Sequence, residues 1–226
     1  MQQDFDSFRA FDYENSNVYL WVFKRSTTAK KFNAFHVPTD QQLNGLLIGF
    51  VEKEVARITE FGNYTYLAET NENSCLAVEL TGNDFCKLQA LVDRPEPDYL
   101  VRSIKDLKNA EGYVVKFFKD NKTIYAVKRS TSNWKTSYAK NFINMVFNNG
   151  ELTAAEDNSF AIERGFDFYV HGQNIFIASK RAFESAMEHR ASFAQAFVTL
   201  QASPEFSQLF TDMQPLQGYV GNNSIQ

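Results

Sequence analysis

Two alternating apolar runs on either side of Asp120-Asn121 constrain this chain most. Residues 113–118 and 123–129 alternate with period two and are rich in Val, Ile, Phe and Tyr. Such runs around a short polar turn predict a β-hairpin. A lone hairpin is marginal in water, so this one needs neighbouring strands or a covering helix. It is also basic. From Tyr113 to Lys140 stand seven cations, Lys116, Lys119, Lys122, Lys128, Arg129, Lys135 and Lys140, against the single acid Asp120. That local excess of +6 sits in a chain whose net charge is −4.

The remaining pattern supplies partners for the hairpin. Residues 18–25 and 32–37 read as strands joined by a basic link, so that Lys24, Arg25, Lys30 and Lys31 make a second cationic segment of +4. Lys-Arg-Ser-Thr occurs at 24–27 and again at 128–131, each time closing an apolar run. The echo is either chance or two strand ends that present Lys-Arg on a common side. After Pro38, Thr39 is a candidate N-cap with Gln42 three residues on, a capping-box pattern. Leu43, Leu46, Leu47, Phe50, Val51 and Val55 then predict a helix to about Ile58.

Residues 64–68 and 75–80 read as strands, and Asn83 caps a short helix to about Leu91. The run DRPEPD at 93–98 is the strongest internal punctuation. It places a soft boundary between an N-terminal α+β part, residues 1–95, and a C-terminal part, residues 96–226, which together can also be one continuous domain. Residues 99–109 read as a short helix, and 130–141 as a loop. Residues 142–147 form a short apolar run, Asn148-Asn149-Gly150 a turn, and 151–158 an exposed acidic stretch. Runs at 159–163, 166–170 and 174–178 continue a β-meander. Helical spacing of Phe183, Met187, Ala194 and Phe197 follows from Lys180. Ser203-Pro204 opens another helix. The expected class is α+β: mixed or antiparallel sheets with a β-meander in the C-terminal half, packed by two or three longer helices.

Composition removes several functions. Twenty-two phenylalanines suit a core in which rings pair across strands. Cys75 and Cys86 are too few and too poorly spaced for a disulfide framework or a zinc site, and they suit a reducing cytosol. His36, His171 and His189 stand far apart, with no ligand spacing between them; a strand end, a turn and a helix surface are their expected places. The polar N-terminus carries no secretory signal, and no apolar run reaches the ~20 residues of a spanning helix. The expectation is a soluble cytoplasmic protein that reaches a membrane only through a partner.

No phosphate-binding glycine loop and no HExxH occurs, so neither metal nor cofactor is expected. Pro97-Asp98 with Asp106-Leu107-Lys108 matches the letters of a Mg²⁺-dependent nuclease motif, but at a spacing that does not place both acids on adjacent strands. Glu151, Glu156, Asp157, Glu163 and Asp167 read as a solvated acidic face or as contacts to a basic partner. The basic segments have three readings: a solvated face, a nucleic-acid surface, or a dock for an acidic protein or anionic membrane. On the nucleic-acid reading the contacts are Lys24, Arg25, Lys30, Lys31, Lys116, Lys128, Arg129, Lys135 and Lys140, with Trp134 for stacking. Charge segregation of this kind favours a directed electrostatic surface.

The C-terminal run NFINMVFNNGELTAAEDNSFAIERGFDFYVHGQNIFIASKRAFESAMEHRASF resembles the KwaB-like family of the bacterial Kiwa antiphage defence system. VYLWVFKRS, YTYLAETNENSCLAVEL and ALVDRP fit it as well. KwaB-like chains run further past the long helix, and ending at GYVGNNSIQ departs from that pattern. The resemblance implies a cytoplasmic DNA-binding protein that meets phage DNA; the basic segments add the expectation of double-stranded DNA held through phosphates without strong sequence preference, and the lack of a catalytic constellation that of no enzyme activity. The resemblance further implies a homodimer working at the inner membrane with the multi-pass protein KwaA. The family supplies no catalytic residues to carry over. Alternatives are an interaction protein that docks a membrane partner without touching DNA and, third, a Mg²⁺-dependent nuclease.

Overall fold

The computed structural model describes residues 1–25, 32–65, 67–80, 99–102, 110–129, 145–148, 151–154 and 164–187. The chain divides into two compact units, Met1–Phe183 and Glu184–Gln226, and the sheet lies in the first. Its elements in order are α1 (Gln2–Arg9), β1 (Asn17–Arg25), β2 (Phe32–Val37), α2 (Gln41–Val55), β3 (Glu60–Asn63), β4 (Ser74–Glu79), β5 (Tyr99–Leu100), β6 (Gly112–Lys119) and β7 (Lys122–Arg129). Then come β8 (Met145–Asn148), β9 (Glu151–Ala154), β10 (Phe168–His171), β11 (Asn174–Ile177) and α3 (Lys180–Met187).

Among the described residues nine strands form one mixed sheet in the order β3-β4-β11-β10-β7-β6-β1-β2-β5, and β8 pairs with β9 as a separate ribbon. The class is therefore α+β, as the alternation predicts. β6, β7, β10 and β11 lie side by side and antiparallel, which is the expected meander. Strands from before and after the proline punctuation interleave, since β1 pairs with β6 and β4 with β11.

Period two sets which side chain faces which layer. Leu20, Val22, Tyr113, Val115, Phe117, Ile124, Ala126, Tyr169 and Phe176 turn to one face, where they join Phe5 and Phe8 of α1 and Leu47, Val51 and Val55 of α2. The phenylalanines do pair as rings: Phe8 stacks on Phe176 at 5.1 Å, and Phe5 meets Phe176 at 5.5 Å and Phe61 at 4.8 Å. The opposite face holds Phe23, Val114, Val127, Phe168 and Ile177, also buried. Phe183 of α3 covers Phe168 edge-on at 5.4 Å. Cys75 is buried in the core, where loss of solvation pushes its thiol up to about 12.

Several local expectations shift. The cap of α2 is Asp40, whose carboxylate accepts from Leu43 N at 2.7 Å; Thr39 instead donates to Asn44 Oδ1 at 2.7 Å. A carboxylate complements the positive helix end better than a hydroxyl does. The helix stops at Val55, and single turns carry the chain on to Ile58. The strand expected at 64–68 lies at Glu60–Asn63, because Thr65 bonds Ala68 N and turns the chain. Tyr99–Leu100 is not helical. It pairs in parallel with β2, and Val101 N takes the edge carbonyl of His36 at 2.8 Å. Within the stretch 151–158, residues 151–154 are strand, in register with β8. The expected helix at 83–91, the punctuation at 93–98, the loop at 130–141, the strand at 159–163, and Cys86, His189 and the 203 helix lie outside the described residues.

Gly45 and Gly49 stand in the interior of α2, and a β-carbon at either would meet nothing within 4 Å. Each glycine therefore costs only backbone entropy. Gly45→Ala and Gly49→Ala are each expected to raise stability by about 0.5–1 kcal/mol, measured from urea midpoints. A midpoint at or below that of the unaltered chain would contradict this.

Candidate nucleic-acid interface

The basic hairpin forms as the sequence demands. Asp120 and Asn121 both adopt positive φ, 49° and 60°. That is the primed turn whose twist matches right-twisted strands, and Asp and Asn tolerate it. Register then pairs Lys116 with Tyr125 and Tyr113 with Lys128. Alternation separates the cations: Lys128 shares the face of Ile124 and Ala126, while Lys116 shares the opposite face with Val114.

Three of the five described hairpin cations have acidic partners. Lys128 Nζ donates to Asp167 Oδ1 at 3.2 Å, and Arg129 NH1 forms an ion pair with Glu111, 3.0 Å from its Oε2. Lys119 pairs with Asp12, whose carboxyl it holds below the usual range. Asp167 is only 5% exposed, not part of a solvated face. Its Oδ2 accepts from Arg129 N at 2.6 Å, its own N donates to Val127 O at 2.8 Å, and its carbonyl accepts from Ala178 N and Ser179 N. It ties β7, β10 and the start of α3 together. Beside it, Glu54 Oε2 of α2 accepts from Phe166 N and from the Tyr169 hydroxyl, both at 2.9 Å, and burial pushes its pKa up.

Register places both echoed Lys-Arg pairs at one end of the sheet, because Phe23 aligns with Gly112 and Gly112 with Arg129. Glu111 lies between them, its N bonded to Phe23 O at 2.9 Å. Lys24 lies over the Phe35 ring at 4.9 Å, on the same face as Lys128. Arg25 closes β1, with only its backbone described. Lys30, Lys31, Trp134, Lys135 and Lys140 lie outside the described residues, as do Asp98, Asp106 and Lys108 of the nuclease pattern. The described candidates thus do not converge on one surface: Lys24, Lys128 and Arg129 gather at one end, and Lys116 stands apart on the other face.

Lys116 has the most unusual surroundings. Its ammonium lies 5.5 Å from the Phe118 ring, 5.9 Å from Tyr19 and Tyr125, and 6.0 Å from Trp21. Sequence reasoning singled out none of these four aromatics, because only strand pairing collects them. Near the hairpin turn a concavity of about 530 Å³ is lined by residues including Asp4, Ser7, Lys122, Tyr125, His171 and Gln173. His171 is not in a turn. It closes β10, buried; its Nδ1–H donates to Thr123 O at 2.8 Å, which leaves Nε2 to accept from Ser7 Oγ at 3.1 Å. His36 sits half-buried in β2, where burial lowers its pKa. Among the described residues no cluster of three or more His, Cys, Asp or Glu could hold a metal ion.

What fold and side chains together define is an α+β sheet protein with a hairpin whose charges are largely matched internally. A family model described as "Kiwa protein KwaB-like" matches residues 107–226. The chain belongs to the KwaB-like family, which ties it to the Kiwa antiphage defence system and to association with other Kiwa components. The match takes in the hairpin and the meander, while β1 to β5 precede it. No curated protein and no solved structure matches the chain.

Proposed function

We propose that this chain is an antiphage defence protein that binds double-stranded DNA without strong sequence preference. It acts as a homodimer with the membrane protein KwaA to block use of phage DNA, from the cytoplasmic side of the inner membrane. Family membership carries the defence role. The observation that supports polyanion binding is the pair Lys116 and Lys122: neither has a carboxylate partner among the described residues, while Lys119, Lys128 and Arg129 each have one. On this reading the protein holds DNA and does not cut it. Among the described residues no helix is long and apolar enough to cross a membrane; on this reading KwaA makes the membrane contact.

The test is a duplex gel-shift series in salt. Each neutralised phosphate releases condensed counterions, so affinity should fall about a thousandfold between ~50 and ~200 mM salt if six phosphates are engaged. Affinity flat with salt would remove the phosphate-binding reading. Plasmid incubated with Mg²⁺ should stay intact.

The ion pairs favour a second reading, an interaction protein that docks KwaA without DNA. Capture of KwaA together with no duplex shift at any salt concentration would select it.

A further inference from the structure

The second sheet face is closed along most of its length. Val114, Val127, Phe168 and Ile177 make a continuous row across β6, β7, β10 and β11 and are buried. One row nearer the hairpin turn the face opens over β1, β6 and β7, while Val170 and Ile175 of the same row stay buried. Register aligns Tyr19 of β1 with Lys116 of β6 and Lys116 with Tyr125 of β7. Tyr19 is 42% exposed, while Lys116 and Tyr125 are half-buried.

We propose that the row Tyr19–Lys116–Tyr125 is a stacking platform for unpaired bases of single-stranded DNA. Neighbouring strands lie about 4.8 Å apart, so the two tyrosines flank Lys116 at about 10 Å across the sheet. That geometry offers a ring on either side of a cation. Bases stack on rings without regard to sequence, because every base has a π-face, and a phosphate between them meets the ammonium. Phe118 and Trp21, on the same sheet face, lie 5.5 and 6.0 Å from the ammonium. Trp21 also stacks on Tyr125 at 6.1 Å, which fixes that ring. Beyond Tyr125 the 530 Å³ concavity brings in Lys122, Asn121 and Gln173, groups suited to phosphate oxygens, with Asp4 as the opposing carboxylate in its lining.

Other occupants fit less well. A duplex hides its base faces everywhere except at its ends, so it cannot use two rings on one flat sheet. A quaternary or methylated ammonium ligand would need an empty aromatic cage, and Lys116 fills this one with its own charge. The inference rests on the nucleic-acid reading above but changes the strandedness of the ligand.

The test measures fluorescence anisotropy of the full chain with an oligothymidylate of about 16 nucleotides and with a duplex of equal length. Tyr19→Ala should weaken single-strand binding by about 5- to 150-fold and leave duplex affinity unchanged, while Tyr19→Phe keeps both. Lys116→Gln should lower the single-strand salt slope by about 0.7. A 2-aminopurine base in the strand should be quenched by the unaltered chain and less by Tyr19→Ala. Single-strand affinity unmoved by Tyr19→Ala overturns the platform. Duplex bound and single strand not bound overturns it too, with the duplex reading standing. Single strand bound through Tyr19 and no duplex bound supports the platform and overturns the duplex reading. Binding of neither overturns both.

Discussion

Asp167→Ala is expected to cost about 3–5 kcal/mol of folding stability, the range seen when one partner of a buried ion pair is removed. The carboxylate is buried and accepts from Lys128 Nζ at 3.2 Å and from Arg129 N at 2.6 Å. Truncation withdraws it from an ammonium whose side chain is 14% exposed and from a backbone donor at the end of β7. Asp167→Asn should cost less, since an amide oxygen can still accept from Arg129 N. Adding Lys128→Met to Asp167→Ala should recover part of the loss, because no desolvated charge is then stranded. Urea unfolding of the three variants decides it. A loss below about 0.5 kcal/mol for Asp167→Ala, the scatter of ordinary surface substitutions, would show that the pair contributes nothing to folding. The same geometry governs how DNA-binding variants are read. Lys128→Glu with Arg129→Glu would place acids against Asp167 and Glu111, so lost binding would report on DNA contacts only if the unfolding midpoint were unchanged.

Phe176→Ala is expected to cost about 3–5 kcal/mol as well, by cavity formation in a core that cannot collapse easily. The ring is fully buried on β11 and touches Phe8, Phe5 and Phe61. It is the seat on which α1 packs, so its loss should loosen the N-terminal helix first. Hydrogen exchange should show the amides of residues 2–9 losing protection before those of β6 and β7. Phe8→Ala in the same chain should add less than its separate cost, because both truncations open one cavity. Full additivity would mean that the two rings sit in independent sites.

How much was legible follows from how local each cause is. The hairpin, its Asp120-Asn121 turn, β1, β2, β4 and the start of α3 are written in period-two and helical spacing and in residues that accept positive φ. The cap at Asp40, one residue past the expected Thr39, depended on which of two neighbouring acceptors reached Leu43 N. β5 could not be read, because two residues become strand only when an edge carbonyl such as that of His36 is offered to them. His171 looked like a turn residue because Gly172 follows it, yet Ser7, 164 positions away, and Thr123 hold it in a strand.

The candidate site divides the same way. Composition and spacing by themselves determined an α+β chain with a Phe-rich core and a basic hairpin; the resemblance to the KwaB-like family is a separate likeness of the whole sequence, and the match over residues 107–226 shows the family. What the +6 segment amounts to was decided only by tertiary structure. Charge counted along a chain ignores partners far off in sequence, and Lys119, Lys128 and Arg129 find theirs at Asp12, Asp167 and Glu111. Lys116 finds aromatic rings instead, because strand register, fixed by burial of one face, places Tyr19 and Tyr125 on either side of it.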